Sequence, residues 1–112
     1  MADCIFCKII AGELPSQKLY EDDAVLCFRD LEPQAPLHFL TVPKQHIPKA
    51  AELSEQTEQV VGHIFAVIAK LTKDLGFDDY RVVNNNGEQA GQTVHHLHFH
   101  VLAGRAMQWP PG

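Results

Sequence analysis

The sequence predicts an α+β fold: an antiparallel sheet with helices packed on one face. Three observations predict it. Short β-type runs dominate the chain, one long stretch has helical periodicity, and most connections are short. In chain order, residues 5–10 are mostly apolar and stop at Gly12 and Pro15, which reads as one short helix. Residues 18–20 and 25–28 read as two strands, with Glu21-Asp22-Asp23 as the turn between them. Residues 30–36 hold two prolines and form a loop. Residues 38–42 follow as a strand closed by Pro43. Residues 54–75 carry the helical pattern: Val60, Ile64, Val67, Ile68, Leu71 and Leu75 recur at spacings of three and four. Ser54 is the expected N-cap and Gly76 the expected stop. Residues 81–83 begin another strand, residues 84–91 form an asparagine- and glycine-rich loop, and residues 96–102 are the last strand. No repeat or low-complexity segment interrupts the pattern.

Length and charge narrow the function. A chain of 112 residues fits a single domain, expected over residues 1–112. The formal net charge is -5, which argues against a nucleic-acid backbone as partner. A single nucleotide needs only a local pocket and stays possible. No apolar run approaches the roughly 20 residues that span a bilayer, and the first residues lack a signal-peptide pattern. A cytoplasmic protein with no membrane partner is therefore expected. Cys4, Cys7 and Cys27 are few and odd in number, which suggests thiols or a metal site rather than a disulfide framework.

The chemistry concentrates in residues 96–102. Read with a period of two, His96, His98 and His100 point one way while Leu97, Phe99 and Val101 point the other. Each neutral imidazole carries one donor and one acceptor that must be matched, so packing alone is a poor reason for three in a row. One metal cannot take all three. Same-face neighbours on a strand sit about 6.8 Å apart, whereas zinc–nitrogen bonds are about 2.0–2.1 Å. The row must divide its labour. Just upstream, Gly91, Gln92 and Thr93 offer close backbone approach and side-chain donors, which suit a phosphoryl group. Imidazole can attack phosphorus directly.

His96-Leu97-His98-Phe99-His100-Val101-Leu102 resembles the signature of the histidine-triad family, three histidines alternating with apolar residues. Residues 90–94 and 30–38 are also similar to that family, and residues 104–112, ending Trp109-Pro110-Pro111-Gly112, resemble its Hint branch of nucleoside phosphoramidases. The resemblance runs over about residues 3–112. It implies a sheet of about five antiparallel strands with one long and one short helix, and a dimer that joins two sheets into a larger one. It implies hydrolysis of the P–N bond of AMP or GMP phosphoramidates, with His98 as nucleophile and a nucleotidyl-histidine intermediate. His100 would contact the phosphate and help protonate the leaving group, His96 would orient its neighbours, and His38 would support the triad by hydrogen bonding.

The same resemblance places Asp30 and Asn85 at the ribose, with Gly91, Gln92 and Thr93 at the phosphate or the departing amine. It places Phe6, Ile9, Leu14, Phe28 and Leu31 around the purine base. His95, Asn84 and Ala103 depart from the family pattern, where an aromatic, an apolar residue and a glycine are common. No cofactor is required for the reaction. Some family members carry a Cys-x-x-Cys pair and a structural zinc ion, which implies Cys4, Cys7, His46 and His96 as ligands here. The tail with Trp109 would lie at the homodimer interface. Two other readings stay open: a nucleotide-binding scaffold with weak catalysis, and a dinucleoside polyphosphate hydrolase. A zinc hydrolase built on the histidine row conflicts with the strand geometry.

Overall fold

The computed structural model describes residues 3–112. The single domain expected over residues 1–112 therefore has residues 1 and 2 outside the described range. Helix α1 spans Ile5–Ile10, followed by strands β1 (Lys18–Glu21), β2 (Val25–Arg29) and β3 (Leu37–Pro43). Helix α2 (Glu58–Asp74), β4 (Tyr80–Val83) and β5 (Phe99–Ala103) complete the order. The sheet runs β1-β2-β3-β5-β4, and every neighbouring pair is antiparallel. β3 and β4 thus run the same way with β5 between them, and α2 makes the crossover.

The helices do not share a face, which corrects the one-sided arrangement expected from the sequence. α2 lays Ile64, Val67, Ile68 and Leu71 on a core with Val25, Cys27, Phe39, Phe99 and Val101. α1 puts Phe6 on the other face, against Leu26, Phe28, Leu40 and Val42. The sign was in β3. Every residue of Leu37–Pro43 is buried, because a strand covered on both faces has no need of polar alternation.

Two boundaries also differ from expectation. α2 starts three residues late, with Thr57 rather than Ser54 at its N-cap. Ser54 instead closes the preceding turn: its carbonyl accepts from the N–H groups of Thr57 and Glu58 at 3.0 and 2.8 Å. Gly76 does end the helix, at φ +89°, where its N–H reaches the Lys73 carbonyl. Leu75, expected in the apolar stripe, is exposed past the helix end. The last strand begins at Phe99, not at residue 96. The β3–β5 pairing stops at Thr41 and Phe99, although β3 itself runs on to Pro43 beside β2. The Leu97 N–H goes to the Ile47 carbonyl instead, and the His96 Nε2–H donates to the Pro43 carbonyl at 2.8 Å. Alternation survives the bend: Leu97, Phe99 and Val101 all enter the α2-side core.

Candidate active site

The face opposite α2 carries the histidines. His98 lies 5.1 Å, centroid to centroid, from Phe6 and the same distance from His100, so the row is wedged between α1 and the sheet. A cavity of about 420 Å³ opens over it. His98, His100, Asp30, Asn85, Gly91 and Thr93 line its polar part. Phe6, Ile9, Phe28 and Leu31 line it too, with Leu31 95% exposed at the rim. The cavity therefore brings together most of the residues expected at phosphate, ribose and base.

Hydrogen bonds fix which nitrogen of each ring is free, since one partner sets the tautomer of the other. The His98 Nδ1–H donates to the His96 carbonyl at 2.7 Å, which leaves a lone pair on Nε2. The Gln34 backbone N–H donates to His38 Nδ1 at 3.0 Å, so His38 carries its proton on Nε2. That proton goes to His100 Nδ1 at 2.9 Å. His100 then keeps its own proton on Nε2. The result is a pair with opposite roles: His98 offers a nucleophilic lone pair and His100 offers a donor.

Burial keeps these rings neutral. It lowers His98 below its ordinary value, against the pull of the His96 hydrogen bond and Asp30. It pulls His100 down to about 4, helped by His98 and His38. His38 is lowered for the same reason, again opposed by Asp30. Asp30 Oδ2 stands 3.5 Å from His38 Nε2 and 3.8 Å from His100 Nδ1, while Oδ1 accepts the Glu32 N–H at 2.8 Å. Asp30, His38 and His100 lie close enough together to hold a metal. The tautomers argue against it, because both nitrogens of His38 are already committed.

His96 turns away from the cavity. Its ring is fully buried, and with Nε2 bonded to Pro43 its Nδ1 lone pair faces Cys4 Sγ at 3.4 Å, Cys7 Sγ at 3.5 Å and His46 Nδ1 at 3.2 Å. Cys7 Sγ lies 3.3 Å from His46 Nδ1. A tetrahedral zinc site has edges of about 3.3 Å between nitrogens and about 3.6 Å between nitrogen and sulfur. The four side chains fit such an ion with no open position. They would hold it, and it would brace α1 against residues 96–98; the reacting groups lie outside this set.

Several expectations change. The Gln92 side chain is buried and fully used: Nε2 donates to the Pro48 and Val94 carbonyls at 2.7 and 3.0 Å, and Oε1 accepts the Gly87 N–H at 2.8 Å. It staples the loop and does not line the cavity, so it has no group left for phosphate. Leu14 sits outside the cavity wall and is exposed. Gly91 has φ +97°, a conformation that only glycine adopts cheaply, beside Asn85. Sequence reasoning missed Ile5, Ser16, Arg29 and Val94 on the cavity wall. It also gave no role to Asn84, whose Nδ2–H donates to the His98 carbonyl at 2.9 Å. The only signal was that an amide stands where the family commonly has an apolar residue. His63, given no role, pairs with Asp22 at 2.7 Å and ties α2 to the β1–β2 turn.

Comparison with known proteins agrees with this geometry. Residues 3–109 match the family model described as scavenger mRNA decapping enzyme C-term binding. A HIT-like protein of Synechocystis is 45% identical over 98% of this chain and 97% of its own length. The chain belongs to the histidine triad (HIT) family. Among solved HIT structures, a histidine triad protein from Clostridium difficile is 50% identical, with TM-score 0.94 over 96% of both chains. A HIT family hydrolase from Legionella pneumophila is 41% identical, with TM-score 0.95 over 98% of this chain and all of that one. The chain is thus a HIT hydrolase-like protein. Among its described residues, no helix is long and apolar enough to cross a membrane.

Proposed function

We propose that the chain is a purine nucleoside phosphoramidase of the Hint branch. His98 Nε2 attacks the α-phosphorus, the P–N bond breaks, and the departing nitrogen gains a proton to leave as the free amine. Water then attacks phosphorus, releases His98 and yields the nucleoside monophosphate. The observation that carries this reading is the divided pair: a neutral His98 with Nε2 free, beside His100 with its proton on Nε2. His100 serves the departing nitrogen or the phosphoryl oxygens. The Thr93 hydroxyl and the Gly91 backbone serve the phosphate, Asp30 and Asn85 the ribose, and the Phe6–Phe28 wall the base. No cofactor enters the chemistry.

The reading includes a structural zinc ion on Cys4, Cys7, His46 and His96, supported by the ligand spacing. It also includes a symmetric homodimer. β4 lies at an open sheet edge, and Trp109, 82% exposed, gives the tail an apolar anchor for a partner. A cytoplasmic site of action suits three free thiols.

The decapping-enzyme family match favours one second reading, cleavage of a P–O–P bond in a cap-like or dinucleoside polyphosphate by the same His98. A panel of AMP phosphoramidate, GMP phosphoramidate and diadenosine polyphosphates tests the two, with and without chelator. The phosphoramidase reading expects amine release far faster than polyphosphate cleavage, insensitive to chelator during the assay. Polyphosphates as the better substrates would overturn it.

A further inference from the structure

Cys4 and Cys7 stand one helical turn apart at the start of α1. There the Cys4 carbonyl accepts the Lys8 N–H at 3.1 Å, and the Cys4 sulfur accepts the Cys7 N–H at 3.4 Å. Their Sγ atoms lie within 4.8 Å of each other and of ring nitrogens of His46 and His96. A cavity of about 470 Å³, with Cys4 and His46 on its wall, opens this cluster to small solutes. Cys27, the third thiol, is fully buried on the α2 side of the sheet. Two contacts carry the state of the cysteine pair to the nucleophile. Phe6 lies between the two cysteines in the chain, and its ring packs on Phe28, His96 and His98 at 5.5, 5.9 and 5.1 Å between centroids. His96, whose ring belongs to the cluster, accepts the His98 Nδ1–H with its carbonyl at 2.7 Å.

We propose that Cys4 and Cys7 are a modification site: a pair that peroxide oxidises to a disulfide, reversibly loosening the nucleotide site. This goes beyond the catalytic reading and rests on its structural metal site. One thiolate attacks peroxide, the O–O bond breaks, and a sulfenic acid and hydroxide form. The second thiolate attacks that sulfur, the S–S bond forms, and a second hydroxide leaves. The two sulfurs lose two electrons, the peroxide oxygens gain them, and two protons from solvent complete two waters. A disulfide offers no thiolate, so a bound ion keeps only His46 and His96 and departs. Closing the bond also moves the backbone. Residues three apart on a helix hold their Cβ atoms about 5–6 Å apart, whereas a disulfide holds them at about 3.5–4.5 Å. The first turn of α1 must tighten, and Phe6 is in that turn. Its ring shifts against His98 and the Phe28 wall, while His96 loses the ion that steadies it.

The test treats the zinc-loaded chain with a small excess of hydrogen peroxide. Thiols are mapped by alkylation and peptide mass spectrometry, the ion is followed with a chromophoric chelator, and AMP is titrated before and after. Oxidation should link Cys4 to Cys7, leave Cys27 free, and release the ion in step with the linkage. AMP binding should weaken by about three- to tenfold, the loss expected when one aromatic contact is disturbed. Circular dichroism should show the sheet intact, and dithiothreitol with zinc should restore both ion and affinity. Ion loss without the linkage, oxidation of Cys7 past the disulfide level, or a linked pair that binds AMP with unchanged affinity overturns the proposal and leaves the nucleotide reading intact. So does loss of the sheet on oxidation. A purified chain that takes up no zinc overturns the metal part of that reading and the proposal with it. A reduced chain that binds no AMP overturns both.

Discussion

Replacing His100 by asparagine tests whether burial, rather than chemistry alone, sets the state of this ring. In the folded chain its pKa is pulled from 6.5 down to about 4, with desolvation the largest cause. The unfolded chain therefore takes up its proton first as pH falls, and folding stability falls with it. The contribution is complete above about pH 6.5 and is lost as pH drops from there toward 4. Between about pH 7.5 and about pH 5 the loss comes to about 2 kcal/mol for a fully desolvated ring. The side chain is 23% exposed, which trims the figure toward about 1.5 kcal/mol. Asparagine does not titrate, and its Oδ1 can still accept the His38 Nε2–H. Urea unfolding of both proteins at the two pH values gives the readout, which is the difference between their pH dependences. The wild type should lose about 1.5 kcal/mol more than His100→Asn on acidification. The contributions of His38 and His98, depressed in the same direction, largely cancel in that difference. Equal losses within about 0.3 kcal/mol, well inside the effect expected from linkage, would refute the reasoning.

Two further predictions follow from contacts around the nucleophile. Asn84→Val removes the donor that holds the His98 carbonyl, and kcat for an AMP phosphoramidate should fall about five- to tenfold with KM changed less, the equivalent of one net hydrogen bond; unchanged kcat would contradict a positioning role. Purified chain should carry about one zinc ion, and Cys7→Ser should lower both metal content and Tm, by elemental analysis and thermal melts. Full zinc occupancy in Cys7→Ser would remove Cys7 from the ligand set.

What the sequence revealed followed from period and spacing. The alternation of Leu97, Phe99 and Val101 with the three histidines survives a bend that ends the regular strand, because the core still claims every second side chain. Helix α2 was legible through its stripe, but its start was not: Ser54 and Thr57 are both good caps, and the turn between them decides. The side of the sheet on which α1 packs depends on long-range contact of Phe6 with Leu26 and Leu40, which no local pattern encodes. Site residues were legible where the motif names them, as at His98, His100 and Asp30. Gln92 misled because a side-chain amide in a phosphate loop has two possible employers, and here the backbone carbonyls of Pro48 and Val94 took it. The separation of His96 from the cavity needed the position of Pro43, 53 residues upstream.

The central claim is a covalent intermediate on His98. The direct measurement mixes the chain with AMP phosphoramidate, quenches turnover in neutral denaturant within milliseconds to seconds, and maps the nucleotidyl group by peptide mass spectrometry. The account predicts one adenylyl group on His98, formed and discharged at rates that support turnover. His98→Ala should lack it and lose at least about a thousandfold in kcat, since deleting the attacking group costs at least as much as deleting a general acid or base. An adduct on His100, or turnover that persists in His98→Ala, would contradict it.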